Sequence, residues 1–148
     1  MVNIAILGCG RIARRHADLL GNGQITGARL VAVCDVVPER MASFADKYRV
    51  RGYRSLTEML GDQGIDAVAI LTPSGMHASH AIAVAQAGRH VVVEKPMALT
   101  VADASAMIAA AEVARVRLFV VKQNRFTLPI LKAREALDAG RFGKLVLG

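Results

Sequence analysis

The sequence predicts an α/β protein whose core is a doubly wound, mostly parallel sheet in the order 3-2-1-4-5-6, with helices on both faces. Three observations carry this expectation. Five short apolar runs recur along the chain, helical patterns lie between them, and the first run ends in a glycine-rich turn that opens a helix.

The runs are residues 4–7 (IAIL), 30–33 (LVAV), 68–71 (VAIL), 91–93 (VVV) and 118–121 (LFVV). Runs this short and without polar alternation read as strands covered on both faces. Arg51-Gly52-Tyr53 adds a short edge strand, giving six in two β-α-β-α-β halves. After the first run, a helix presents Ile12, Ala13, His16, Leu19 and Leu20 as its inner face and gives way to a turn at Asn22-Gly23. The next helix has Pro38 in its first turn, and Met41, Phe44, Ala45 and Tyr48 follow at helical spacing. Ser55-Leu56-Thr57-Glu58 fits a capping box, and Thr100 with Asp103 repeats the device. An alanine-rich helix over 77–87 meets Gly88, where a left-handed residue is usual. Val101, Ala104, Ile108 and Ala111 trace one face of a longer helix. Residues 128–139 read as a last helix, 140–143 as a turn and 144–147 as the start of a strand.

With 148 residues, 53% of them apolar and 21% charged, the chain is one domain's worth with ample material for a core. Only 4% is aromatic and Trp is absent, so no stacking platform for nucleic acid is indicated. The net charge of +7 is scattered apart from Arg14-Arg15, which suits a phosphate-bearing small ligand better than a nucleic acid. Cys9 and Cys34 form no CxxC and no metal-ligand spacing, and read as small buried residues in a reducing compartment. No run approaches the roughly 20 apolar residues of a membrane span, and no charged segment precedes the first strand. The expectation is a cytoplasmic protein with neither membrane nor nucleic-acid partner.

The turn "ILGCGRIA" carries the chemistry. Gly8 permits a tight bend, Gly10 lets backbone approach a pyrophosphate, and Ala13 allows close packing of helix on strand. The free N–H groups of the helix start, at Gly10, Arg11 and Ile12, then face the anion. Asp35 ends the second strand, where an acidic residue accepts hydrogen bonds from the adenosine ribose and repels a 2′-phosphate. The pattern therefore favours NAD over NADP; Arg40 either pairs with such a phosphate or is an ordinary surface arginine of the helix. "ILTPSGMHASHA" follows the fourth strand at the reversal of strand order, and it places Thr72, Pro73, Ser74 and His77 on the nicotinamide side. "VVVEKPMALT" ends the fifth strand with Glu94-Lys95-Pro96. A lysine at that edge is placed to bond a substrate hydroxyl and move its proton, with Glu94 orienting it.

GCGRIA, Asp35, TPSGMHASHA and EKP together resemble the Gfo/Idh/MocA family of NAD(P)-dependent sugar oxidoreductases. The resemblance implies a Rossmann domain over 1–122, with 123–148 forming the crossover helix and first strand of a second α/β domain for substrate and oligomer contacts. It implies that Lys95 is catalytic, that Glu94 and Gln123 contact the cofactor, and that Lys95, Asn124 and Arg125 contact the substrate. "VVKQNRFTLPILKAREALDAGRFGKLVLG" further resembles the subgroup oxidising C3 of UDP-N-acetylglucosaminuronate for surface-polysaccharide amino sugars. There Arg125 would grip a carboxylate, or only anchor the crossover. The family's second-domain His has no counterpart among His16, His77, His80 and His90. The expectation is a chain that binds NAD without turning over a sugar, and a full-length dimer or tetramer. Inositol- or glucose-type dehydrogenases, a dinucleotide sensor and a methyltransferase remain as alternatives.

Overall fold

A computed structural model describes residues 1–146. Its six strands are β1 (Val2–Leu7), β2 (Ala28–Cys34), β3 (Arg51–Tyr53), β4 (Ala67–Ile70), β5 (His90–Val93) and β6 (Leu118–Val120). They form one sheet in the order β3-β2-β1-β4-β5-β6, and every pairing is parallel. The helices are α1 (Arg11–Gly21), α2 (Pro38–Tyr48), α3 (Leu56–Leu60), α4 (His77–Gln86), α5 (Val101–Val113) and α6 (Leu128–Asp138). Short 3-10 turns cover Ser74–Met76 and Gln123–Phe126.

Pleating sends alternate strand residues to two separate cores. Ala5 and Leu7 of β1, with Val68 and Ile70 of β4, pack beneath α4, α5 and the Met59 side chain of α3. Ile6, Val33, Ala69 and Leu71 pack on the other face with Ala13, Ala17 and Leu20 of α1 and Phe44 of α2. Burial on both faces explains why β1, β2 and β4 read as unbroken apolar runs, whereas the run at 118–121 is corrected: β6 lies at the sheet edge, buries none of its residues and leaves Phe119 50% exposed.

Two expected helix faces are corrected. On α1 the buried residues are Ala13, Ala17 and Leu20, whereas Ile12 is 45% exposed and His16 and Leu19 are half-buried. A helix pressed this closely onto a sheet seats methyl groups, and the larger side chains are displaced to its flanks. On α5 the buried residues are Met107 and Ala111, while Val101 and Ile108 face solvent. That helix is apolar on most sides, so its sequence did not single out one face.

The punctuation matches the reading. Ser55 Oγ accepts the Glu58 N–H at 3.2 Å, Thr100 Oγ1 accepts the Asp103 N–H at 3.0 Å, and Gly88 is left-handed at φ +74°. Lys144 to Val146 carry no strand, and Leu147, the last residue of the expected strand, lies outside the described residues. α6 buries none of its residues. Among the described residues no helix is long and apolar enough to cross a membrane.

Candidate functional site

Strand order reverses between β1 and β4, so the chain leaves these neighbours in opposite directions and opens a crevice at their carboxyl ends. The walls are pinned where they begin. The Gly8 N–H donates to Cys34 O at 2.8 Å, the Leu71 N–H to Leu7 O at 2.8 Å and the Glu94 N–H to Ile70 O at 3.1 Å.

One end of the crevice is a groove of about 500 Å³ lined by Gly8, Gly10, Ile12, Asp35, Arg40, Thr72 and Pro73, among others. It continues past Arg11, Ile12 and Thr72 into a second groove of about 660 Å³, where His16, Ser74, His77, Glu94, Lys95 and Gln123 join the lining. A third hollow joins Lys95 to Lys122, Gln123, Asn124 and Arg125. The residues singled out in the sequence thus fall along one connected surface. Ala13 lies outside that surface, fully buried, and acts through packing.

The backbone here fits a phosphate. Gly8 has φ +95°, and a Cβ on it would lie 2.9 Å from the Leu71 carbonyl oxygen. Only glycine tolerates that combination. A Cβ on Gly10 would meet nothing within 4 Å, so the space above the helix start is open. α1 has no side-chain cap and no acidic residue in its first turn, which leaves its first N–H groups and positive end directed at whatever occupies that space.

Asp35 is 8% exposed. Its Oδ2 accepts the Cys9 N–H at 2.7 Å and its Oδ1 the Val37 N–H at 2.8 Å. Two amides fix the carboxylate, and its remaining lone pairs are available to ribose hydroxyls. Beside it, burial and then the charge of Asp35 push the Cys9 thiol up to about 12, and the same causes push Cys34 up to about 11. Both remain unreactive thiols.

At the other end, Glu94 is buried and spans two elements. His16 Nε2 of α1 lies 3.1 Å from its Oε1, and its Oε2 accepts the Lys95 N–H at 3.0 Å. Glu94 therefore holds Lys95 by the backbone rather than by a surface ion pair, and the Lys95 side chain is left exposed in the groove. Sequence reasoning placed His16 on an inner helix face and missed its bond to Glu94, a partner 78 positions away. The available signal was its place on the flank of α1 shared with Ile12.

The structure gives His77 backbone partners where a cofactor contact was expected. It is 1% exposed, and both ring nitrogens face backbone carbonyls. His80 also enters the lining: its Nδ1 lies 3.0 Å from Thr72 Oγ1. Burial, and secondarily the neighbouring His77, hold His80 below the ordinary histidine value.

The family model GFO_IDH_MocA, described as "Oxidoreductase family, NAD-binding Rossmann fold", matches residues 2–122. Among solved structures, the WlbA dehydrogenase from Bordetella pertussis in complex with NADH and UDP-GlcNAcA is 42% identical with a TM-score of 0.91, over 97% of this chain and 43% of that one. Among curated relatives, the myo-inositol 2-dehydrogenase of Thermotoga maritima is 35% identical over 97% of this chain and 42% of its own length. The D-apiose dehydrogenase of Paraburkholderia graminis is 39% identical over 94% of this chain and 37% of its own length. The chain thus spans well under half the length of the relatives it matches.

Proposed function

Because the chain belongs to the Gfo/Idh/MocA family of NAD-binding oxidoreductases, we propose that it is the cofactor-binding part of an NAD-dependent sugar dehydrogenase acting on the C3 hydroxyl of UDP-N-acetylglucosaminuronate. The observation that carries this reading is the connected crevice, with Asp35 at one end and Lys95 at the other.

Gly8, Gly10, Arg11 and Ile12 would hold the pyrophosphate and Asp35 the adenosine ribose. Thr72, Pro73, Ser74, Glu94 and Gln123 would border the nicotinamide. When bound, NAD supplies the hydride acceptor. The residues of the chain do the positioning and the proton work. Lys95 Nζ would accept the proton of the sugar hydroxyl as the carbon loses its hydride. Glu94, fixed by His16, keeps the Lys95 backbone in place for that transfer. Lys122 and Arg125 add positive charge next to Lys95, and Arg125 has the fork geometry that grips a carboxylate. A uronate is the sugar class that uses such a fork.

We assign residues 1–122 to the cofactor domain and 123–148 to the entry of a substrate and oligomerisation domain. The many exposed apolar side chains after residue 123, Phe126, Leu128 and Phe142 among them, support the division. The setting proposed is the cytoplasm, in the formation of surface-polysaccharide amino sugars. A polyol such as inositol is the second reading, favoured by the Thermotoga relative.

The test follows NADH formation in the protein at its full natural length, with UDP-N-acetylglucosaminuronate and myo-inositol supplied in parallel. The nucleotide sugar is the expected substrate, and Lys95→Ala is expected to lower turnover by roughly 100-fold or more while NADH affinity holds. Turnover of inositol alone would select the second reading, and a fully active Lys95→Ala would remove Lys95 from proton transfer.

A further inference from the structure

His77 is the one buried imidazole among the described residues, and it opens α4 beneath the groove that holds Lys95. Its Nδ1 lies 2.7 Å from the carbonyl oxygen of Pro96, and its Nε2 lies 2.9 Å from that of Thr72. Carbonyl oxygens only accept, so making both bonds requires a hydrogen on each ring nitrogen. Neither nitrogen is then left for a ligand.

The two carbonyls belong to different walls of the crevice. Thr72 lies in the turn after β4, and Pro96 follows Lys95 in the turn after β5. The two strands are laddered as far as Ile70 and Val93, and the Glu94 N–H adds one more bond to Ile70 O. Past that point no backbone hydrogen bond among the described residues joins the two turns. The imidazole is the polar link that carries the sheet's spacing onward into the site.

We propose that His77 is a positioning residue: by bridging the Thr72 and Pro96 carbonyls it fixes the gap between the two turns, and so fixes Lys95 and Ser74 against the nicotinamide end of the cofactor. The proposal rests on the reading that the nicotinamide lies between these turns. It assigns His77 no contact with cofactor or substrate.

The test compares NADH with ADP-ribose, which lacks the nicotinamide and uses only the glycine turn and the Asp35 end. Both ligands are titrated into the chain and into His77→Phe, which keeps a ring without donors, and His77→Gln, which keeps an N–H donor. The expected result is a roughly tenfold loss of NADH affinity in His77→Phe, the size of one or two net hydrogen bonds. ADP-ribose affinity stays unchanged, and His77→Gln recovers part of the NADH loss. If His77→Phe does not fold, the same split between ligands is expected, smaller, in His77→Gln. Nitrogen-edited NMR of the wild-type chain in the same buffer is expected to show two slowly exchanging ring N–H signals from His77.

Equal losses for the two ligands would make His77 merely structural and overturn the proposal, as would unchanged NADH binding in both variants or a single ring N–H. A wild-type chain that binds ADP-ribose as tightly as NADH would instead refute the nicotinamide placement on which the proposal rests.

Discussion

Gly8 and Gly10 stand two positions apart and do different things. At Gly8 the backbone is at φ +95°, and the atoms an added Cβ would meet, at 2.9–3.0 Å, all belong to the Leu71 and Thr72 backbone. Backbone cannot swing aside as a side chain does. Gly8→Ala is therefore expected to lower stability by about 1–3 kcal/mol, read as a drop of several degrees in thermal unfolding. Gly10→Ala meets open space and has no positive φ, so unfolding is expected to be unchanged while NADH affinity falls, because the methyl occupies the phosphate's room. A Gly8→Ala chain as stable as wild type would contradict the close approach seen between β1 and β4. Both glycines, with Asp35, were legible in the sequence because their jobs are local: a turn, a gap and a carboxylate at a strand end. The bond between His16 and Glu94 was not, since nothing in the sequence around either residue names the other.

At the level of elements, β3 and α3 are short, and one side chain binds them together. Asp62, just after α3, accepts the Tyr53 hydroxyl at 2.8 Å and the Gly64 N–H at 2.9 Å, and it pairs with Arg51 at 2.7 Å. Burial raises its carboxyl, but these three partners outweigh burial and hold it below the ordinary 3.8. A carboxyl depressed in the folded state stabilises at pH above its ordinary value, and that contribution fades as pH falls through the lowered one. Asp62→Asn is thus expected to melt a few degrees below wild type at pH 7, with the two curves converging in acid below about pH 3.8. A gap that persists unchanged into acid would show that the charge of Asp62 contributes nothing. The capping boxes at Ser55 and Thr100 were readable because a cap is a contact over three residues. The buried face of α5 was not, because Ala, Val, Ile and Met surround that helix and only its neighbours select Met107 and Ala111.

For the molecule as a whole, a six-stranded parallel sheet buried at its centre and the reversal at β1 and β4 give a crevice whose two ends differ in chemistry. One end holds the anchored carboxylate of Asp35. The opposite end carries the amino groups of Lys95 and Lys122 and the guanidinium of Arg125, with the Glu94 carboxylate bonded to the Lys95 backbone. The parallel sheet was legible from the alternation of runs and helices, since parallel neighbours require crossovers, and the expected order 3-2-1-4-5-6 is the one observed. The exposure of α6 and its flanks was not legible, because none of its residues is buried among the described residues and a helical pattern does not say what covers it. The central claim is that this crevice is built for NAD, with Asp35 as the residue that chooses it. The most direct measurement is a fluorescence titration of the 148-residue chain with NADH and NADPH, in wild type and in Asp35→Ala. Saturable binding with NADH the tighter ligand, and loss of that preference in the variant, is the result this account predicts. Binding of neither nucleotide, or tighter binding of NADPH by the wild type, would contradict it.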